Sequence, residues 1–125
     1  MTDWAKQNIF TTEGRLNRLK YFKYTLLVSL AGGVAQIVLV WLTSKIIGSN
    51  DSFLLSLENA LIALPICIGN AMVTVRRCHD LNMSGKYVLL CIIPIINLLF
   101  GLYLLMAKGT VGWNNYGADP LLLRD

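Results

Sequence analysis

Three stretches of this chain stay apolar for long enough to cross a bilayer as helices, and that constrains it more than anything else in its sequence. They are Tyr24–Ile47, Leu57–Val75 and Tyr87–Ala107, and the core of the first, TLLVSLAGGVAQIVLVWL, carries no charge. As a helix the first stretch reaches about 36 Å, against roughly 30 Å of hydrocarbon in a bilayer. Backbone amides in lipid must bond within the chain, so the predicted fold class is an all-α membrane protein. Composition agrees: of 125 residues 55% are hydrophobic and only 14% charged, where a globular domain carries roughly 25%. A water-soluble fold of this size would need far more polar surface. The first stretch is too long for a cleaved signal, and no small-residue cleavage site follows it.

The expected organisation is a basic arm over residues 1–23, a three-helix transmembrane domain over 24–107, and a surface tail over 108–125. In the arm, Leu16, Leu19 and Phe22 repeat at helical spacing opposite Arg15 and Arg18. That pattern reads either as an amphipathic helix at headgroup level or as the start of the first span. Pro65 sits inside the second stretch and Pro94 inside the third. A proline removes a backbone donor, so Pro94 permits two half-helices that turn back as well as one complete crossing. Complete crossing is the expectation, because backbone exposed to lipid at a break is costly.

Orientation follows from counting bases. The arm holds Lys6, Arg15, Arg18, Lys20 and Lys23, and the 76–86 loop holds Arg76, Arg77 and Lys86, while Lys45 alone lies between the first two stretches. Positive residues stay inside, which predicts a multi-pass inner-membrane protein with a cytoplasmic N-terminus. Three crossings then put the tail, with Lys108 and Arg124, outside. The same bases argue against nucleic acid, whose binders carry a basic stripe on a soluble fold. They suit anionic lipid headgroups instead. The three cysteines, Cys67, Cys78 and Cys91, are odd in number and lack zinc-like spacing.

Polar residues concentrate in three segments: GRLNR at Gly14–Arg18, RRCHDLNMSG at Arg76–Gly85, and GTVGWNNYGADP at Gly109–Pro120. In this order, over nearly the whole chain, they resemble a bacterial inner-membrane family known as domain of unknown function 805. Its members carry a G-R-x-x-R arm, an R-R-L-H-D-x-x-x-S-G-W loop and a G-x-N-x-Y-G-x-D-P tail. This chain departs at Cys78 and Lys86, where the family favours Leu and Trp. The resemblance implies a location and an architecture, and no reaction.

Arg15, Arg18, Arg76, Arg77, His79 and Asp80 are the candidate headgroup or clamp residues. Arginines at a helix end can fork onto lipid phosphates. Alternatively, Arg15 or Arg18 pairs with Asp80 and ties the arm to the 76–86 loop. Acid/base work by His79 and Asp80 is the sharper reading, but hydrolysis wants a nucleophile or metal beside the histidine. No catalytic, cofactor or metal site is assigned. Within the spans, Gln36, Asn70 and Asn97 are amides expected to seek partners on other helices. Ser29/Gly33 and Ala31/Ala35 offer small-residue spacing for close packing or self-association. Mid-span acids or bases, which coupled transport usually needs, are missing from the sequence. The expected role is structural or accessory in the envelope, with lipids, a second copy or another membrane protein as partner. An oligomeric transporter component and, behind it, a lipid-headgroup enzyme are the alternatives.

Overall fold

The computed structural model describes residues 11–48 and 51–122. Lys6, Arg124 and the first ten residues of the expected arm lie outside that range. Helix α1 runs Arg18–Ile47 and α2 runs Ser52–Asp80. A 3-10 segment follows over Gly85–Ile92, and then α3 over Pro94–Met106.

Local chemistry sets these boundaries. The Asn17 side chain accepts from the Lys20 amide at 2.8 Å and opens α1, filling one of the orphan donors of a first turn. Gly48 closes α1 in the left-handed conformation, φ +64°, which glycine adopts without a Cβ penalty. Asp51 caps α2 by accepting from the Phe53 amide at 3.0 Å. α1 therefore starts six residues before the expected span, and Arg18–Lys23 are its first turns. Leu16, Leu19 and Phe22 do not form one face, since Leu16 is buried and the other two are exposed. Residues 11–17 approach α1 as non-helical chain.

α1 and α2 are long and apolar enough to cross a membrane; α3 is not. Thirteen residues reach only about 20 Å. The expected third crossing over 87–107 is instead a broken segment. Pro94 disfavours helical geometry at the residue before it, and Ile93 is extended, φ −91° and ψ +115°. Proline is well placed at the first position of a new helix. The broken segment leaves the α2 end at Gly85, where an added Cβ would lie 2.9 Å from Val75. It returns to that end, since Arg77 donates to the carbonyls of Leu104 and Ala107. The tail thus sits beside Gly14–Arg18 and the end of α2, and not at the opposite end as an odd number of crossings requires.

Among the described residues, three side-chain hydrogen bonds join α1 to α2. Gln36 Nε2 donates to Asn59 Oδ1 at 2.7 Å, Thr43 Oγ1 to Glu58 Oε1 at 2.8 Å, and Asn70 Nδ2 to Ser29 Oγ at 3.3 Å. The closest backbone approach is at Gly32, where a Cβ would stand 2.5 Å from Ile66. Gly33, the glycine of the Ser29/Gly33 spacing, faces open space. Gln36→Leu should cost about 1 kcal/mol in an SDS-titration unfolding experiment. Asn59→Leu should cost about the same, and the double variant less than the sum, because both remove one bond.

Burial is inverted relative to a soluble protein. Most large apolar side chains are exposed, Ile37 at 72% and Ile46 at 80%. The largest fully buried side chains include Arg76 and Arg77. The core sits at one end, where Leu16, Tyr21, Val73, Cys78, Phe100 and Leu104 pack together.

Candidate functional site

The apolar stretch of α2 ends at Val75, and the last turns beyond it carry Arg76, Arg77, His79 and Asp80. A helix end leaves carbonyls unsatisfied, and so does the end of α3. Arg77 serves both. Its Nε donates to Leu104 O at 2.8 Å and its Nη2 to Ala107 O at 2.6 Å. Its Nη1 reaches Leu16 O at 3.3 Å and also Asp80 Oδ2. One buried guanidinium thereby holds the incoming arm, the end of α2 and the returning α3.

Asp80 is shared between two arginines. Its Oδ2 takes Arg77, and its Oδ1 takes Arg15 through Nε at 3.1 Å and Nη2 at 3.0 Å. Arg15 then spends its remaining donors on the tail: Nη1 to Gly112 O at 2.5 Å and to Gly117 O at 3.2 Å, Nη2 to Thr110 O. The charges alternate Arg–Asp–Arg, and peptide carbonyls fill the other sites. That combination makes a buried charge tolerable.

The backbone completes the joint. The Leu16 amide donates to Arg76 O at 3.1 Å and the Thr110 amide to Asp80 O at 2.8 Å. Gly109 passes directly over the carboxylate; a Cβ there would lie 2.1 Å from Asp80 Oδ2. Gly112 and Gly117 turn the tail at φ +77° and +124°. Asp119, buried, accepts from the amides of Gly112 at 3.1 Å and Leu121 at 2.9 Å. Asn114 Nδ2 donates to His79 O at 2.8 Å.

His79 faces away from Asp80. Its Nδ1 lies 3.2 Å from Gly14 O, a contact in which the ring nitrogen donates, since a carbonyl only accepts. Its ring stacks on Tyr116 with centroids 4.0 Å apart and planes 4° from parallel. Burial holds its pKa below the ordinary 6.5, opposed by the hydrogen bond to Gly14.

The site residues named from sequence therefore divide. Arg15, Arg77 and Asp80 come together as one network, with Arg76 buried beside it and His79 stacked on the tail. Arg18 is exposed on α1 and makes no ion pair with Asp80 among the described residues. Gln36 and Asn70 bridge α1 and α2, while Asn97 lies apart, exposed on α3. Sequence reasoning missed Asn59 as the partner of Gln36, and the work of Gly109 and Asp119. The G-x-D-P pattern around Asp119 was the available signal.

Comparison with known proteins finds relatives named as inner membrane proteins. The chain is 30% identical over 114 residues to inner membrane protein YhaI of Escherichia coli (strain K12), covering 91% of this chain and 89% of that relative. Inner membrane protein YhaH of the same strain is 28% identical over 126 residues, covering 96% and 98%. No solved structure matches. Two apolar helices fit a membrane protein, as these relatives are named to be. Residues 9–118 match the family described as protein of unknown function DUF805, a range that holds Gly14–Arg18, Arg76–Gly85 and the tail from Gly109 to Ala118: the chain belongs to the DUF805 family.

Proposed function

We propose that this protein is a structural or accessory component of the bacterial inner membrane that crosses the bilayer twice. In this reading the segment over 85–106 dips into the bilayer and returns. Arm, α2 end, hairpin base and tail then share the cytoplasmic face. One observation carries the reading: Arg77 ties the returning end of the hairpin and the arm to α2 through the carbonyls of Leu104, Ala107 and Leu16 and through Asp80. The guanidinium nitrogens of Arg77 and Arg15 and both Asp80 oxygens are spent on cohesion, which suits a scaffold. Charge supports the orientation. Arg15, Arg18, Lys20, Lys23, Arg76, Arg77, Lys86 and Lys108 lie at this end, and Lys45 with Asp51 and Glu58 at the other, as the positive-inside rule asks.

The lipid-enzyme alternative needs His79 and Asp80 to act together, yet the imidazole is held by Gly14 and Tyr116 and the carboxylate by two arginines. The transporter alternative draws on a half-helix that begins within the apolar layer at Pro94, an arrangement known from transporters. It requires solute flux in proteoliposomes, lost in Asn97→Leu.

Single cysteines test the topology, with Cys67, Cys78 and Cys91 replaced by alanine. Lys86→Cys and Trp113→Cys should both react with an impermeant maleimide in inverted vesicles and stay unlabelled in spheroplasts. Ser52→Cys should show the reverse. Labelling of positions 86 and 113 from opposite sides would mean that the hairpin crosses, and the two-span reading would fall.

A further inference from the structure

Between α1 and α3 lies an open-sided groove of about 460 Å³, within the range of small-ligand sites. Tyr21, Thr25 and Ser29 line one wall, and Asn97, Gly101 and Leu105 the other. We propose that this groove holds one glycerophospholipid with an anionic headgroup, a proposal that rests on the membrane reading above.

Three observations converge on that occupant. The first is charge at one mouth only. Arg18 is exposed and lies on the same face of α1 as Tyr21, Phe22, Thr25 and Ser29, at steps of three and four residues. Lys108, also exposed, follows Leu105 just past the end of α3. Neither cation is consumed by the Arg15–Asp80–Arg77 network, so both can meet a phosphate at headgroup level. Long basic side chains lie along apolar surface and place their charge at that level.

The second is a polar band deeper in. Thr25 and Ser29 from α1 face Asn97 from α3. Among the described residues the Asn97 side chain makes no hydrogen bond. An amide left facing hydrocarbon is costly and seeks an acceptor. Ester carbonyls, which follow the phosphate into the bilayer, are acceptors without donors and match the Asn97 amide nitrogen. A free inorganic anion would fill the rim and leave this band empty.

The third is space kept open at Gly101, where an added Cβ would meet nothing within 4 Å. Glycine inside a helix costs roughly 1 kcal/mol relative to alanine, and here no backbone contact requires it. The gap widens the groove between its charged mouth and the Asn97 band, where the glycerol backbone would lie beside Leu102 and Leu105. α3 begins at Pro94, so acyl chains passing that end of the helix re-enter bulk lipid.

The test uses the full chain in vesicles of equal phosphatidylglycerol and phosphatidylcholine, extracted gently, with retained lipid counted by native mass spectrometry. The wild type should keep one lipid per chain, phosphatidylglycerol over phosphatidylcholine by about fivefold. Gly101→Leu fills the groove and should lower retention of both lipids about tenfold, with unfolding in SDS unchanged. Asn97→Leu should weaken both lipids alike, by about fivefold. Arg18→Gln with Lys108→Gln should leave one lipid bound and erase the preference. Retention unchanged in both Gly101→Leu and Asn97→Leu overturns the proposal. So does a chain that retains no lipid and forms dimers that Gly101→Leu breaks, since the occupant is then a second copy. Resistance to alkaline carbonate separates the two levels: a chain washed from membranes sinks the membrane reading itself, whereas one that stays but keeps its lipid in the variants sinks only the groove.

Discussion

Arg77→Ala will deplete folded protein from the membrane more than any other single substitution in the chain. The guanidinium is fully buried and donates to three carbonyls and to Asp80. Its loss strands those carbonyls and leaves Asp80 facing Arg15 alone. Removing one partner from a buried ionic cluster costs about 3–5 kcal/mol. SDS-titration unfolding, or the monodisperse fraction on size-exclusion chromatography, should register that loss. Arg77→Lys keeps the charge but cannot fork to three carbonyls, and should recover only part of the stability. A variant within 1 kcal/mol of wild type would mean the network is ornamental. The usual rescue of a buried ion pair, replacing it by hydrocarbon, should fail here. Leu16, Leu104 and Ala107 would still lack donors.

Gly109→Val is expected to be nearly as damaging, for a steric reason. The tail backbone crosses so near Asp80 that any Cβ would overlap its carboxylate, at 2.1 Å. Either the tail lifts, breaking the Thr110–Asp80 bond and the Arg15 contacts, or the carboxylate rotates away from its arginines. A cost of about 3 kcal/mol follows, at the upper end for overpacking. The same measurement on Gly101→Ala gives the contrast, since the open space at that glycine predicts no loss. If the two glycines respond alike, tail contact with Asp80 is not what holds this end together.

The helices were legible in the sequence because their signal is length of apolar run, which needs no knowledge of tertiary structure. The break at Pro94 was legible as an option, and the choice between crossing and turning back was not. That choice depends on where Leu104 and Ala107 end up, and their carbonyls find Arg77, a partner distant in sequence. Arg15 and Arg18 looked equivalent beside Asp80. The cap at Asn17 separates them, leaving Arg15 on non-helical chain that folds under the tail and Arg18 exposed on α1. Asp119 was hidden for a different reason: in a turn-rich tail an acid reads as solvent-facing, and only the folded tail shows it gathering two amides inward.

The Arg15 bonds to the carbonyls of Gly112 and Gly117 span 97 and 102 residues of sequence. During synthesis Arg15 leaves the ribosome about a hundred residues ahead of these acceptors. Asp80 emerges in between, after both of its arginines and before the tail that covers it. The joint therefore cannot close until the tail has been made. Its arrival decides whether everything before it locks.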